Sequence, residues 1–409
     1  MPTFDREEIE AAKAVLDTRR LTMGERVQAF EHEFARWTGA KHAIMVNSGS
    51  SANLLMVDAL LRRSNRSAPL CPGDEVLVPT LAWPTTVWPL VQLGLVPVFV
   101  DVNLQTLSID LDSARSALSS KTKAVFLIHV LGQTADMDSM SAFCKETGLI
   151  LLEDVCESLG AYYNGIHAGN FGVMGSFSSY FSHHISTIEG GVIITSDSAL
   201  HDDLLSLRAH GWVRDRSDRE EWIHQYPEID SRFLFILPGY NVRPTEIQGA
   251  IGLVQLNKLE SMLMTRERLA AEVSRLVNQY TPWMRLVGAE HLGAKIERSS
   301  SRYRRRHSWM TLPFILDKAA PLSLAVVKRH FERSGIETRP IIAGNLSRHP
   351  AVHHSIHRTA SSLAKADVIL DRGFMIGCHP INLEANLAVL ENGFRSLAKL
   401  SKTESQVQV

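Results

Sequence analysis

The sequence has no C-x-x-C pair. Its four cysteines, Cys71, Cys144, Cys156 and Cys378, stand far apart along the chain. Zinc and iron–sulfur centres draw their thiolates from closely spaced pairs, so neither a metal site nor an iron–sulfur cluster is expected. A chain of 409 residues can bury a large core without disulfides, so reduced thiols and a cytoplasmic location are the expectation. Long apolar runs are also missing: nothing reaches the roughly 18 consecutive residues of a membrane span. Residues 1–8 are acidic and lack an apolar core, so no signal peptide is expected. Charge of one sign is absent too. Lys and Arg number 43 against 44 Asp and Glu, for a net charge of -1. No global field draws nucleic acid or an anionic membrane. No internal repeat is present.

What is present is an alternation of short apolar runs and helix-length amphipathic segments. Ala43-Ile44-Met45-Val46 reads as a strand and residues 51–61 as a helix. Glu75-Val76-Leu77-Val78-Pro79 is a strand, followed by a helix through Leu90 and the strand Pro97-Val98-Phe99-Val100-Asp101. Residues 123–128 and 149–152 extend the series. Continuous aliphatic runs separated by helices are the pattern of a buried parallel sheet, so the class is α/β. After Thr195 the pattern changes. Residues 200–208 look helical, and residues 211–240, rich in Arg, Asp, Trp and Pro, read as a long ordered loop. Residues 245–264 carry helical spacing and are expected to link two domains. Met310-Thr311-Leu312-Pro313-Phe314-Ile315 reads as a strand, and the polar residues 401–409 as a disordered tail.

Three constellations carry chemistry. Asn47-Ser48-Gly49-Ser50-Ser51-Ala52-Asn53 lies between strand and helix. Small residues there let a backbone rich in free N–H groups approach an anion, although a plain helix cap has the same composition. Glu153-Asp154-Val155-Cys156-Glu157 follows the strand ending at Leu152, where open α/β sheets bind ligands. Asp154 can pair with a protonated pyridine nitrogen, or serve as a solvated loop acid. The third is Ser178 with His183-His184, expected on a strand, before the turn Glu189-Gly190-Gly191 and the strand Val192-Ile193-Ile194-Thr195. Neighbours on a strand point to opposite faces, which disfavours a shared metal.

Together these segments resemble the sugar aminotransferase family of pyridoxal-phosphate enzymes. Residues 21–27 and 30–35, the Ser48-Gly49-Ser50 turn, Glu153-Asp154 and Tyr240-Asn241-Val242-Arg243-Pro244-Thr245-Glu246 fall in the family's order, over nearly the whole chain. Within the family, Ala82-Trp83 before Thr85-Thr86, Phe181-Ser182-His183-His184 and Glu337-Thr338-Arg339-Pro340 are similar to a dehydratase subgroup. The resemblance implies the aspartate-aminotransferase-like fold type I. Residues 1–250 would form a large, mostly parallel sheet domain with an N-terminal helical segment, and residues 251–400 a smaller C-terminal α/β domain. It implies that Gly49 and Ser50 give backbone N–H groups, and Ser178 a hydroxyl, to the cofactor phosphate. Trp83 would stack on the pyridine ring and Asp154 bind its nitrogen. Glu157 stands where many family aminotransferases have glutamine near the ring. Asn241 would reach the neighbouring subunit's cofactor in a homodimer with shared active sites.

Between Phe177 and Gly191 the family's aminotransferases carry a lysine, and this chain has none there. By its spacing to Ser178 and Glu189, His183 takes that place; His184 is the competing choice. An imidazole cannot hold an aldehyde cofactor as a Schiff base, but it can move protons, and its ordinary pKa of about 6.5 suits both directions. The expectation is therefore a 3-dehydratase. L-glutamate would convert pyridoxal phosphate to pyridoxamine phosphate. The amine would then act on a nucleotide-linked 4-keto-6-deoxyhexose, a GDP-linked mannose derivative by resemblance, and the C3 hydroxyl would be expelled. Ammonia and 2-oxoglutarate would be released. Arg339, or part of Arg302-Tyr303-Arg304-Arg305-Arg306-His307, would neutralise the nucleotide diphosphate, unless that basic run is only a solvated loop. A stable amino-sugar product, or a non-catalytic binding role, are the rival readings.

Overall fold

The computed structural model describes residues 3–62, 69–292 and 305–407. Helices α1 (Arg6–Thr18) and α2 (Glu25–Thr38) open the chain. Strand and helix then alternate: β1 (His42–Val46), α3 (Gly49–Leu61), β2 (Glu75–Pro79), α4 (Pro84–Gln92), β3 (Val96–Val100), α5 (Leu111–Ser116), β4 (Thr122–Ile128), α6 (Met137–Thr147) and β5 (Ile150–Asp154). A small hairpin, β6 (Tyr162–Tyr163) and β7 (Ile166–His167), precedes β8 (Met174–Ser178), β9 (Gly191–Thr195), α7 (Ser198–Arg208) and α8 (Arg219–Gln225). The long α9 (Glu246–Tyr280) leads to β10 (Met284–Leu286), β11 (Arg305–Arg306), β12 (Thr311–Leu316), α10 (Leu324–Arg333) and β13 (Thr338–Arg339). The chain closes with α11 (Pro350–His353), β14 (Arg358–Thr359), α12 (Ala364–Arg372), β15 (Gly373–Gly377) and α13 (Leu383–Val407).

Eight strands form the main sheet in the order β1-β9-β8-β5-β4-β2-β3-β14. It is parallel except at β9, which runs against both β1 and β8. Side-chain alternation sorts its two faces. Ile44, Val76, Val78, Phe126, Leu152 and Ile193 point into one core with α3 and α4. Met45, Phe177, Val192 and Ile194 enter a second core with α2 and α9. Leu77, Val98, Val125, Leu127 and Leu151 enter a third with α6. Both faces are covered, which is why these strands read as unbroken apolar runs.

A four-stranded antiparallel sheet, β10-β12-β15-β13, carries the second body. Its core joins Leu312, Phe314, Phe331, Phe374 and Phe394 to Leu269, Val273 and Leu276 of α9. Helix α9 has 35 residues and is about 50 Å long at 1.5 Å per residue. It starts at a Thr245–Gln248 capping box, packs Leu256, Leu259 and Leu263 into the large core, and continues past Met264 into the small one. The change of cores falls between Leu263 and Leu269, inside one helix.

Three sequence expectations change. The segment 211–240 contains α8 and a 3-10 turn at Ser231–Phe233, packed on Val213, Trp222 and Leu234. Most of its charged residues are paired: the buried Arg216 guanidinium binds Asp203 and Asp218 at 3.0 and 2.6 Å. The polar end of the chain is helical through Val407 rather than disordered from Ser401, because Leu390, Phe394 and Leu397 anchor α13 on the small core. Residues 179–190 form a loop; β8 ends at Ser178, so His183 and His184 do not lie on a strand.

Candidate active site

The polar residues gather where the parallel strands end. Asp154 is the last residue of β5 and is buried. Its Oδ2 accepts hydrogen bonds from Asn53 Nδ2 at 2.8 Å and Thr86 Oγ1 at 2.7 Å. Its Oδ1 accepts from the Cys156 N–H at 3.0 Å. Asn53 is itself held, since its Oδ1 accepts from Ser176 Oγ at 2.6 Å. Helix α3 thus lends Asn53, and the first turn of α4 lends Thr86, to fix one carboxylate. Trp83, the residue before α4, stands at the same end of the sheet with 58% of its surface exposed.

The start of α3 lies beside this group. Ser48 caps it by accepting from Ser51 N–H. Gly49 and Ser50 follow as the first two helical residues, whose N–H groups no helical carbonyl can reach. Gly49 is required by close packing: a Cβ there would sit 2.8 Å from Ser178 Cβ and 3.0 Å from Cys156 Sγ. Ser50 is exposed, and Ser178 ends β8 alongside. Backbone donors, a hydroxyl and a helix N-terminus thus lie together, a set that could receive an anion.

The loop after Ser178 is closed at its neck. The Ser179 N–H donates to Gly190 O, Thr187 N–H donates to Ser179 O, and the two hydroxyls of Ser179 and Thr187 meet at 2.6 Å. Its two histidines diverge. His184 is buried, and its Nε2 donates to the Ser308 carbonyl at 3.1 Å. His183 is half-buried with a buried Nδ1 that has no partner. Burial pushes its pKa down to about 4, against the pull of the Asp154 charge. At neutral pH His183 is therefore a neutral imidazole, below the ordinary value expected from sequence. Glu157 shows the opposite shift. Burial, reinforced by the Asp154 charge, pushes its carboxyl up to about 8, although Leu131 N–H donates to it at 3.1 Å. Two carboxyls three residues apart thus occupy different environments.

Asn241 is exposed, its Oδ1 accepting from Arg243 at 3.0 Å, and among the described residues no hydrogen bond joins it to the Asp154 group. Arg339 is also exposed and pairs with Glu337 at 2.7 Å. It lines a cleft of about 660 Å³ together with Tyr180, Phe181 and Ser182 of the histidine loop. The basic run is mostly committed elsewhere. Residues 302–304 lie outside the described residues. Arg305 lies over the Tyr163 ring at 4.4 Å, Arg306 is buried and pairs with Glu260 at 3.0 Å, and His307 is buried and stacked on Trp309. Arg306 and His307 are therefore not free in solvent, whereas Arg305 is exposed.

Sequence reasoning missed Asn53 and Thr86 as the partners of Asp154, and a buried arginine, Arg266, in the cleft wall. Asn53 lay within the quoted small-residue turn, so its place on the first turns of a helix facing β5 was the available signal. No helix of the described residues is long and apolar enough to cross a membrane, and no group of three or more His, Cys, Asp or Glu side chains gathers there as a metal site.

Residues 2–390 match the DegT/DnrJ/EryC1/StrS aminotransferase family. The chain belongs to that family. Among curated members, GDP-4-keto-6-deoxy-D-mannose 3-dehydratase of Yersinia pseudotuberculosis is 38% identical over 393 residues, covering 95% of this chain and 96% of that protein. Among solved members, GDP-4-keto-6-deoxymannose-3-dehydratase with a trapped PLP-glutamate geminal diamine superposes with a TM-score of 0.85 at 35% identity, covering 96% of this chain and 98% of that one. A mutant of the same enzyme with bound GDP-perosamine gives a TM-score of 0.86 at 35% identity, with the same coverage. The fold is thus that of this pyridoxal-phosphate family: a large, mostly parallel sheet flanked by helices.

Proposed function

We propose that this chain is a pyridoxal-phosphate-dependent 3-dehydratase of a GDP-linked 4-keto-6-deoxyhexose, with L-glutamate as amino donor. The observation that carries the reading is His183: a neutral imidazole with an unpartnered buried nitrogen, in a loop without lysine, close enough to Asp154 to feel its charge. The site fits the cofactor. Gly49, Ser50 and Ser178 supply the donors a phosphate needs, and Asp154, held by three hydrogen bonds, presents a fixed charge for a ring N–H. Exposed Trp83 offers an aromatic face to the ring. When bound, the cofactor supplies an electron sink in its aldehyde form and carries the amino group in its amine form.

The chain's own residues supply the rest. Neutral His183 would serve as the base for a proton at the cofactor's exocyclic carbon. A histidine with a depressed pKa is a strong acid once protonated, so it can return that proton to the departing C3 oxygen of the sugar. Glu157, protonated at neutral pH, could donate a hydrogen bond near the ring where a carboxylate could only accept. The net reaction replaces C3–OH by C3–H on the sugar and converts L-glutamate to 2-oxoglutarate and ammonia. No external reductant is needed, because the amino acid provides both electrons. We infer a homodimer in which exposed Asn241 serves the neighbouring subunit's site, and we assign the enzyme to the cytoplasm, where nucleotide sugars are made.

The test mixes the protein with pyridoxal phosphate, L-glutamate and a panel of nucleotide-linked 4-keto-6-deoxyhexoses, and follows ammonia, 2-oxoglutarate and the C3 oxygen. Loss of that oxygen with equal ammonia and 2-oxoglutarate is expected. A stable amino sugar without ammonia would make the chain an aminotransferase instead. Borohydride should leave no cofactor covalently attached to the resting protein.

A further inference from the structure

The wall of the cleft beside the histidine loop contains a guanidinium that the protein does not neutralise. Arg266, on α9, is 5% exposed. Its Nη1 donates to three backbone carbonyls, Trp309 and Met310 before β12 and Cys378 after β15, at 3.1 and 3.0 Å for the first two. Nε is buried without a partner, and among the described residues Nη2 makes no hydrogen bond either. No carboxylate among the described residues lies within ion-pair distance of it; Glu337, the acid of this cleft, is exposed and engaged by Arg339. The groups that feel its charge are His183, His184, His379 and Cys378, none of which is an anion at neutral pH.

An arginine cannot shed its proton, so a buried one lacking a counter-charge needs an anion from outside. The unused Nε–Nη2 edge is a planar fork whose two N–H groups match the two oxygens of a carboxylate. Leu269, Met310, Ile376 and Leu390 share the cleft wall with it, so the anion would meet the fork in an apolar surround. Tyr180–Ser182, the residues leading to His183, line the same cleft.

We propose that Arg266 is the carboxylate-binding residue for the amino donor, with Nη1 fixing the guanidinium to the small body and the Nε–Nη2 edge receiving L-glutamate. This rests on the dehydratase reading, in which an amino acid and a nucleotide sugar enter one site in turn. A single deep fork suits a carboxylate. A diphosphate, bulkier and more strongly charged, meets its cation at the cleft mouth, where Arg339 is exposed.

The experiment uses the full-length, cofactor-loaded protein with glutarate, a dicarboxylate lacking the amine, and GDP as separate probes in calorimetry. R266Q should weaken glutarate binding and raise the KM for L-glutamate at least tenfold, while the Kd for GDP changes less than twofold. R266K, which keeps the charge but loses the fork, should fall between. Because the bonds from Nη1 also tie α9 to the small body, a variant-free measurement accompanies these. Glutarate should slow amide hydrogen exchange in the wild type at residues 309–311 and 376–379. Unchanged glutarate affinity in folded variants, loss of GDP affinity alone, or absence of protection at those segments would each overturn the assignment. Wild type that binds glutarate yet deoxygenates no sugar keeps this inference and removes the dehydratase. Wild type that deoxygenates sugar while R266Q binds glutarate normally removes only the inference.

Discussion

The two sides of the candidate site, the Asp154 group and the loop with α9, are built on opposite plans. On the sheet side, Asp154 takes three hydrogen bonds from three different segments, and Glu153, its neighbour on the opposite face of β5, is satisfied more completely still. The Glu153 carboxylate is fully buried and accepts from the N–H groups of Gly169, Phe171 and Gly172 as well as pairing with His129. On the loop and α9 side, His183 Nδ1, His184 Nδ1 and Arg266 Nε are all buried without partners. Buried polar atoms are costly unless paired. Around Asp154 the first wall is therefore finished by the fold, and the second awaits groups brought by ligands. Where the protein completes its own hydrogen bonds it is fixing an orientation; where it leaves them open it is making room for chemistry.

The sharpest way to break this contrast is to change the two adjacent histidines separately. H183N should lower the rate of dehydration by about 10²- to 10⁴-fold, the usual contribution of a positioned proton-transfer group, while cofactor absorbance at saturation stays the same. H184N removes a hydrogen bond to Ser308 and should cost about 1 kcal/mol of stability, with activity within tenfold of the wild type. The measurements are ammonia release and urea unfolding. Equal losses of rate in both variants would show that the loop, rather than one imidazole, carries the effect.

Glu157 tests the sheet wall by pH. Its folded pKa, about 8, lies above its ordinary value of 4.5. Below pH 4.5 both folded and unfolded states hold the proton, and this group favours neither. Between 4.5 and 8 the unfolded chain releases its proton while the folded protein keeps it, so stability falls as pH rises and levels off above 8. E157Q, neutral at every pH, lacks that decline. The variant should gain on the wild type by an amount on the order of a few kcal/mol between pH 5 and pH 8, read from urea unfolding without added cofactor. Parallel pH profiles would place an ionised carboxylate at this position.

Much of this architecture is legible in the chain because burial on both faces leaves a direct mark. The apolar runs at β1 to β5 and β9 appear as such in the sequence, and the Ser48-Gly49-Ser50 turn follows from the strand and helix on either side. The loop carrying His183 was not legible. Tyr180 and Phe181 extend an aromatic-rich run that resembles a continuing strand, and only the cross-loop bonds of Ser179 to Thr187 and Gly190 turn it aside. The second half of α9 was missed because its apolar residues belong to another core, so the helical stripe changes partners at the domain junction. Arg266 gave no signal at all: it is one of three arginines in a 35-residue helix, an ordinary surface residue until the fold buries it.

Thr86 sharpens the contrast by unfinishing the finished wall. T86V keeps the shape of the side chain and removes one donor to Asp154 Oδ2. A buried carboxylate deprived of a hydrogen bond should cost about 1–3 kcal/mol, measured by urea unfolding. The effect should be the same with and without a bound dicarboxylate, because this bond belongs to the scaffold. A loss that vanishes when ligand is present would move Thr86 to the other wall.

The smallest effect concerns strain in the loop neck. Ile188 has φ of 72°, a left-handed conformation that β-branched residues rarely adopt, and its side chain is largely exposed, so packing does not compensate for the conformation. The surrounding bonds impose it: the Ile188 N–H donates to Ser186 Oγ, Thr187 Oγ1 donates to Glu189 O, and Gln248 Nε2 donates to the same carbonyl. Asparagine tolerates this region, so I188N should raise stability by about 1 kcal/mol without moving the loop. If the histidine wall is held open by those bonds alone, dehydration by I188N stays within a factor of two of the wild type. A variant that is more stable but loses activity would mean instead that the strain at Ile188 helps to hold His183 in place, and the open wall would then depend on backbone energy as well as on its unpaired nitrogens.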